Sequence, residues 1–179
     1  ENASGTARSP DLFVMDADGG NIRQLTNNPT TDFNHQWSAD SASLTYVTYD
    51  GPGGAQVMHV DLASGEISTL IPPIPMSDIF MPRWSPDGSQ LLFEISQSYE
   101  TSIELAVMDA DSDTHTIIAE AGPFDFSADW SPDGSKIVYV SDVDGDFEIY
   151  TSYPDGTENK RLTDNEFNDQ YPQWRPTQD

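Results

Sequence analysis

Trp130-Ser131-Pro132-Asp133-Gly134-Ser135-Lys136-Ile137-Val138-Tyr139-Val140 is the stretch that decides the fold of this chain. A near copy stands at Trp84-Ser85-Pro86-Asp87-Gly88-Ser89-Gln90-Leu91-Leu92-Phe93, a worn copy begins at Trp37-Ser38-Ala39-Asp40, and a cut-off one at Trp174-Arg175-Pro176. The four tryptophans mark four repeats, spaced 47, 46 and 44 residues apart. Self-similarity at that period points to a propeller or solenoid array. The Trp130 copy reads as a hairpin whose tryptophan is set to pack between neighbouring units, while the Trp174 copy has no room for the second strand.

Working outward, each of the first three tryptophans opens a unit of four short strands, called a to d. His35-Gln36-Trp37, Ser43 to Thr48, Gln56 to Leu62 and Glu66 to Ile71 make the first. Met81 to Trp84, Gln90 to Ser96, Ser102 to Asp109 and His115 to Ala119 make the second, and the third runs from Ala128 to Thr163. Ahead of them, Asp11 to Asp16 and Asn21 to Thr26 flank Asp18-Gly19, a strong hairpin signal that asks for positive φ at both central residues. No helical period competes with these β runs. Four-stranded units at this spacing predict an all-β propeller of about four blades, read as one domain over residues 1–179 with a loose polar arm at 1–10.

The third unit carries a family resemblance. Trp130 to Ser141, then Asp142-Val143-Asp144-Gly145-Asp146-Phe147-Glu148-Ile149-Tyr150, then Asp155-Gly156 and Arg161-Leu162-Thr163 resemble the TolB-type β-propeller repeat, a relative of WD-type repeats. The resemblance covers residues 11–176, closely in the third unit and more loosely in the first. Such repeats occur in periplasmic scaffold proteins, in the propellers of prolyl-peptidase-like enzymes and in lyases of uronic-acid oligomers. The resemblance therefore implies a fold and leaves several functions open.

The strand count is fifteen: strands c and d at the start, three complete units, and strand a at Gln173-Trp174. A four-bladed ring needs one more, strand b of the split blade. Residues 2–7 could supply it, turned by Ser9-Pro10, so that strand a near Trp174 joins the Phe13 blade. Alternatively the end strands pair with another chain and give an oligomer or filament, since open edges invite strand addition.

Charge narrows the partners. Seven basic residues against 31 acidic ones give a net charge of −24, which opposes nucleic acid and anionic membranes alike. No apolar run is long enough for a membrane helix. The absence of cysteine removes disulfides, cysteine zinc sites and a cysteine nucleophile together. The opening residues show no basic-then-apolar signal pattern, so any export signal is expected to have been removed or never to have existed.

Candidate sites follow from which loops share an end of the blades. Each d-to-a connection carries an aspartate five or six residues before its tryptophan: Asp32, Asp78, Asp125 and Asp169. The residues just before the tryptophans are Gln36, Arg83, Asp129 and Gln173, on strand a, the innermost of a propeller blade, so that some of them are expected to edge the central channel. Together they predict a polar binding face, although aspartate ahead of a strand also serves to shape its turn. In a b-to-c loop at the same end, Asp142, Asp144 and Asp146 surround Gly145 and resemble the start of a calcium loop. Tyr153 stands where a full loop of that kind needs glutamate. In the Asp109-Asp111-Asp113 hairpin, Glu120 has the right spacing and Thr114 replaces the glycine. Asn2-Ala3-Ser4 fits a glycosylation sequon.

Catalysis finds no motif. His35, His59 and His115 are scattered, with neither a Gly-x-Ser-x-Gly elbow nor a His-Glu-x-x-His pair. The expectation is a non-catalytic, extracellular or periplasmic module that binds a protein partner or itself, with calcium as the one cofactor to consider. The competing expectation is the propeller portion of a larger peptidase or carbohydrate-active enzyme.

Overall fold

The computed structural model describes residues 9–49, 51, 53–97, 102–121 and 127–175. A hairpin of β1 (Phe13–Val14) and β2 (Arg23–Gln24) comes first. Three four-stranded blades follow. The first contains β3 (Thr31–Trp37), β4 (Ser43–Tyr49), β5 (Ala55–Asp61) and β6 (Ile67–Ile71). The second contains β7 (Ser77–Trp84), β8 (Gln90–Gln97), β9 (Ile103–Asp109) and β10 (His115–Ala121). The third contains β11 (Asp129–Trp130), β12 (Ile137–Ser141), β13 (Glu148–Ser152) and β14 (Lys160–Arg161). Within each blade the strands pair antiparallel in chain order, as the all-β propeller reading requires.

The blades are held together by what their faces exclude from water. Val47 and Val57 of the first blade pack with Ile79, Leu91 and Phe93 of the second. Leu92, Leu105 and Val107 of the second pack with Trp130, Ile137 and Tyr139 of the third. Leu12 ties the β1–β2 hairpin to Leu44, Tyr46 and Val60 of the first blade. Each fully buried side chain of this size contributes about 1.5–3 kcal/mol. A central strand with one face toward each neighbour needs apolar residues on both, which is why Ser43 to Thr48 is buried throughout.

The Trp-Ser-Pro-Asp-Gly turns are closed by their own side chains. In the third blade Ser131 Oγ and Ser135 Oγ both donate to Asp133 Oδ1, at 2.7 and 2.8 Å, and Lys136 N donates to Ser131 Oγ at 2.9 Å. Asp87 repeats the arrangement, and Asp40 keeps the Ser38 bonds while Ala42, through its main-chain N–H alone, stands in for the second serine. Gly88 and Gly134 hold φ of 73° and 70°, and the worn copy puts Ser41 in the same left-handed region at 60°. The turn is kept although its glycine is gone.

Two local expectations are corrected. The turn of the first hairpin is not a two-residue loop with positive φ at both Asp18 and Gly19. Only Gly19 of that pair is left-handed, Gly19 N bonds to Asp16 O at 2.9 Å, and Asn21 takes the second positive φ. At the other end, Gln173-Trp174 forms no ladder. The Trp174 indole N–H still donates to Asp129 O at 3.3 Å, just as that of Trp130 donates to Arg83 O at 3.0 Å, so the segment keeps the station of a strand a beside the third blade. Residues 2–7, where a closing strand b was expected, lie outside the described residues, as does Asn2 of the sequon. Among the described residues no pairing joins Phe13–Val14 to Gln173–Trp174.

Candidate functional site

The innermost strands carry a feature that repeats with the tryptophans. Three residues before each one, the backbone turns left-handed: Asn34 at 50°, Met81 at 48°, Ser127 at 46° and Tyr171 at 57°. In the first two blades the ladder shifts register there, between Phe33 and Gln36 and between Phe80 and Arg83. A bulge of this kind bends its strand and re-aims side chains. Four different non-glycine residues adopt it, at roughly 1–2 kcal/mol each.

Three of these left-handed residues, Met81, Ser127 and Tyr171, line a cleft of about 280 Å³ together with Arg83, Asp129 and Gln173. Three of the four residues expected at the channel thus share one hollow, while Gln36 lies half-buried on the first blade. The main chain beneath the cleft is fixed, because the indoles of Trp130 and Trp174 hold the carbonyls of Arg83 and Asp129. Its side chains offer one guanidinium, one carboxylate and one amide, a set suited to hydrogen-bonding a polar polypeptide. Met81, Ser127 and Tyr171 were not among the residues singled out by sequence. Their only signal is a fixed distance from the tryptophan.

The expected aspartate ring is less uniform. Asp32 and Asp78 belong to strands β3 and β7 themselves and not to the loops before them. Asp32 is buried and accepts from Asn28 Nδ2 at 3.2 Å; Asp169 accepts from Asn165 Nδ2 at 2.7 Å. Each Asn–Asp pair four residues apart shapes the connection into the next strand. Burial, and then the Asp32 charge, push the Tyr46 phenol up to about 12. Asp78 is half-buried, and Asp125 lies outside the described residues.

The Asp142 loop is tied into the third blade. Asp144 Oδ2 accepts from the Tyr150 hydroxyl at 2.6 Å and lies 3.4 Å from Arg161 Nη1. Arg161 also reaches Glu148 Oε1 at 2.8 Å and Asp164 Oδ1 at 2.9 Å. Glu148, with no exposed side-chain surface, further accepts from the Thr163 hydroxyl and from Asn165 N. The Thr163 bond first, then the Asn165 N–H and Arg161, hold its carboxyl down at about 2. A related tie stands in the first hairpin with Gln24 in the place of Arg161: Gln24 Nε2 donates to Asp11 Oδ2 at 3.0 Å and Leu12 N donates to Thr26 Oγ1 at 2.9 Å. Among the described residues no group of three or more histidines and carboxylates is placed to hold a metal ion.

Comparison with known proteins agrees with this architecture. The chain is 30% identical over 90 residues to the Tol-Pal system protein TolB of Rickettsia prowazekii, which covers 50% of this chain and 20% of that protein. It superposes on TolB of Acinetobacter baumannii with a TM-score of 0.72 at 24% identity, over 86% of this chain and 37% of the other. Dipeptidyl peptidase 4 of Porphyromonas gingivalis shares the fold at a TM-score of 0.67 and 15% identity, over 90% of this chain and 31% of the other. The chain spans a third or less of the length of the curated relatives it matches. The family model for the TolB β-propeller domain, PD40, matches residues 2–179, and the chain belongs to that family.

Proposed function

We propose that this chain is a non-catalytic protein-binding module of the periplasm, and that its partner docks over the channel cleft of Arg83, Asp129 and Gln173. The observation that carries the reading is the convergence of these three residues, one from each of three successive repeats, on a single hollow. Tandem strands on a rigid frame give such a surface fixed geometry, while charge of both signs supplies orientation. Its likeness to a protein named for the Tol-Pal system supports a role in an envelope assembly.

Affinity capture from a periplasmic extract tests the reading, with the wild-type chain compared against an Arg83→Ala, Asp129→Ala, Gln173→Ala variant. A protein captured by the wild type and lost with the variant is the expected result. Identical capture by both chains sinks the proposal.

A second reading, self-assembly into an oligomer or filament, is favoured by the apolar residues exposed at the two ends of the array. Phe13, Met15 and Ile22 stand out on the first hairpin, and Leu162, Phe167 and Tyr171 beyond the third blade. Light scattering across concentration decides it: a constant monomer mass removes this reading and leaves the first untouched.

A further inference from the structure

The blade registers allow the same position to be compared around the array. On the first blade one row runs Gln36, Thr45, His59, Ser68. On the second it runs Arg83, Leu92, Val107, Thr116, and on the third Asp129, Val138, Thr151, Lys160. In the second blade the middle of the row is apolar, and Leu92 and Val107 join Trp130 and Ile137 in the core. The first blade has Thr45 and His59 there. Thr45 is fully buried and accepts the Trp84 indole N–H at 2.8 Å.

Between the first and second blades lies a cavity of about 450 Å³, walled by Ser38, Asp40, His59, Ser68, Trp84 and Asp87. Between the second and third blades a hollow of about 230 Å³ is lined by Val107, Thr116, Pro154 and Asp155, and neither Trp130 nor Asp133 lines it. Of the three blades the first alone has polar residues at both middle positions of the row, and departures from a repeated pattern concentrate at functional positions. The ring nitrogens of His59 make no hydrogen bond within the described residues.

Charge identifies the ligand class. Every turn bond to Asp40 and Asp87 ends on Oδ1, so Oδ2 of both stays available. Those bonds keep both groups ionised: the Ser85 hydroxyl foremost holds Asp87 near 2, and Ser38 foremost lowers Asp40. Among the described residues neither carboxylate is in an ion pair. An aromatic wall beside two uncompensated carboxylates suits an organic cation, because the ring face and the carboxylates attract the same charge. A neutral polyol would leave both charges unanswered.

We propose that the cavity between the first and second blades binds a basic side chain, an arginine or lysine of a protein partner, seated against Trp84 with its cationic head toward Asp40 and Asp87. It opens at the end of the blades that carries the Trp-Ser-Pro-Asp-Gly turns. It is separate from the channel cleft and shares no residue with it.

The test follows the Trp84 indole N–H by NMR on the full chain at physiological salt, where diffuse attraction to the acidic surface is screened. The probe is Nα-acetyl-arginine methylamide, and the control is its neutral isostere, Nα-acetyl-citrulline methylamide. A saturable shift of Trp84 with the arginine probe is expected, with affinity at least tenfold weaker for the citrulline compound and for Asp40→Asn with Asp87→Asn. Because those carboxylates also hold turns, a second variant, Ser68→Tyr, fills the cavity from an exposed position on its wall. It should abolish binding while leaving the urea midpoint unchanged. Equal affinity for the neutral isostere, a non-saturating shift shared with Trp130, or unchanged binding by the second variant would each overturn the proposal.

Discussion

The Trp130 indole N–H donates to the main-chain carbonyl of Arg83, 3.0 Å away and 47 positions earlier in the chain. One side chain therefore fills the seam between two blades and also fixes the backbone beneath a residue of the cleft. Trp130→Phe keeps most of the packing and removes the bond, and is expected to cost about 1 kcal/mol. Trp130→Ala should cost about 3–5 kcal/mol. Trp37, exposed at 44% where Trp130 is at 5%, should lose far less on the same truncation. Urea denaturation of the four chains, wild type included, gives the ordering; equal losses at Trp37 and Trp130 would contradict it.

Glu148 sets a pH dependence. Its carboxyl sits near 2 when folded, against an ordinary value of 4.5, so the folded chain binds fewer protons than the unfolded one in that interval. The stability it contributes is fully present above pH 4.5 and is lost as pH falls toward 2. Glu148→Gln should be less stable at neutral pH and show a flatter decline across the same window. Parallel curves of midpoint against pH would show that the knot with Arg161 and Thr163 does not carry the effect.

Ser41 offers a gain. It holds a φ of 60° at the station occupied by Gly88 and Gly134 in the intact turns. Ser41→Gly removes left-handed strain of roughly 1–2 kcal/mol against a glycine entropy cost of about 0.5–1 kcal/mol, so the melting temperature should rise slightly. Gly134→Ala should do the reverse. A new Cβ there would meet Pro86 Cδ at 3.6 Å, an ordinary contact, so the loss would come from the backbone alone.

Calcium meets a competitor in the Asp142 loop. Tyr150 and Arg161 already occupy Asp144 Oδ2, and an ion has to displace them. Millimolar calcium is expected to leave the melting temperature and the titration heat of the wild type unchanged. A calcium-dependent rise in melting temperature would show that the carboxylates rearrange around an ion.

What the sequence made legible was what repeats in residue type. The tryptophans and the Ser-Pro-Asp-Gly turns place the blades because their chemistry is local: a serine, an aspartate and a glycine close the turn within six residues. The site was legible only in part. Arg83, Asp129 and Gln173 could be placed by counting back from a tryptophan, and they do converge. The left-handed positions could not, since Asn34, Met81, Ser127 and Tyr171 have no side-chain property in common. The polar row of Thr45, His59 and Ser68 emerges only once strand registers are known, because its members come from three strands. Asp32 and Asp169 each accept on Oδ2 from an asparagine four residues upstream, a turn bond that their place before the tryptophan does not disclose.

The left-handed residue ahead of each tryptophan separates shape from chemistry along the channel. The bend is made by backbone alone, and asparagine, methionine, serine and tyrosine all satisfy it. The rim can consequently be rewritten one repeat at a time, in polarity, bulk or aromatic character, while the frame that presents it stays as it is. Four such stations make the array an addressable surface, on which a change of partner would need new side chains but no new fold.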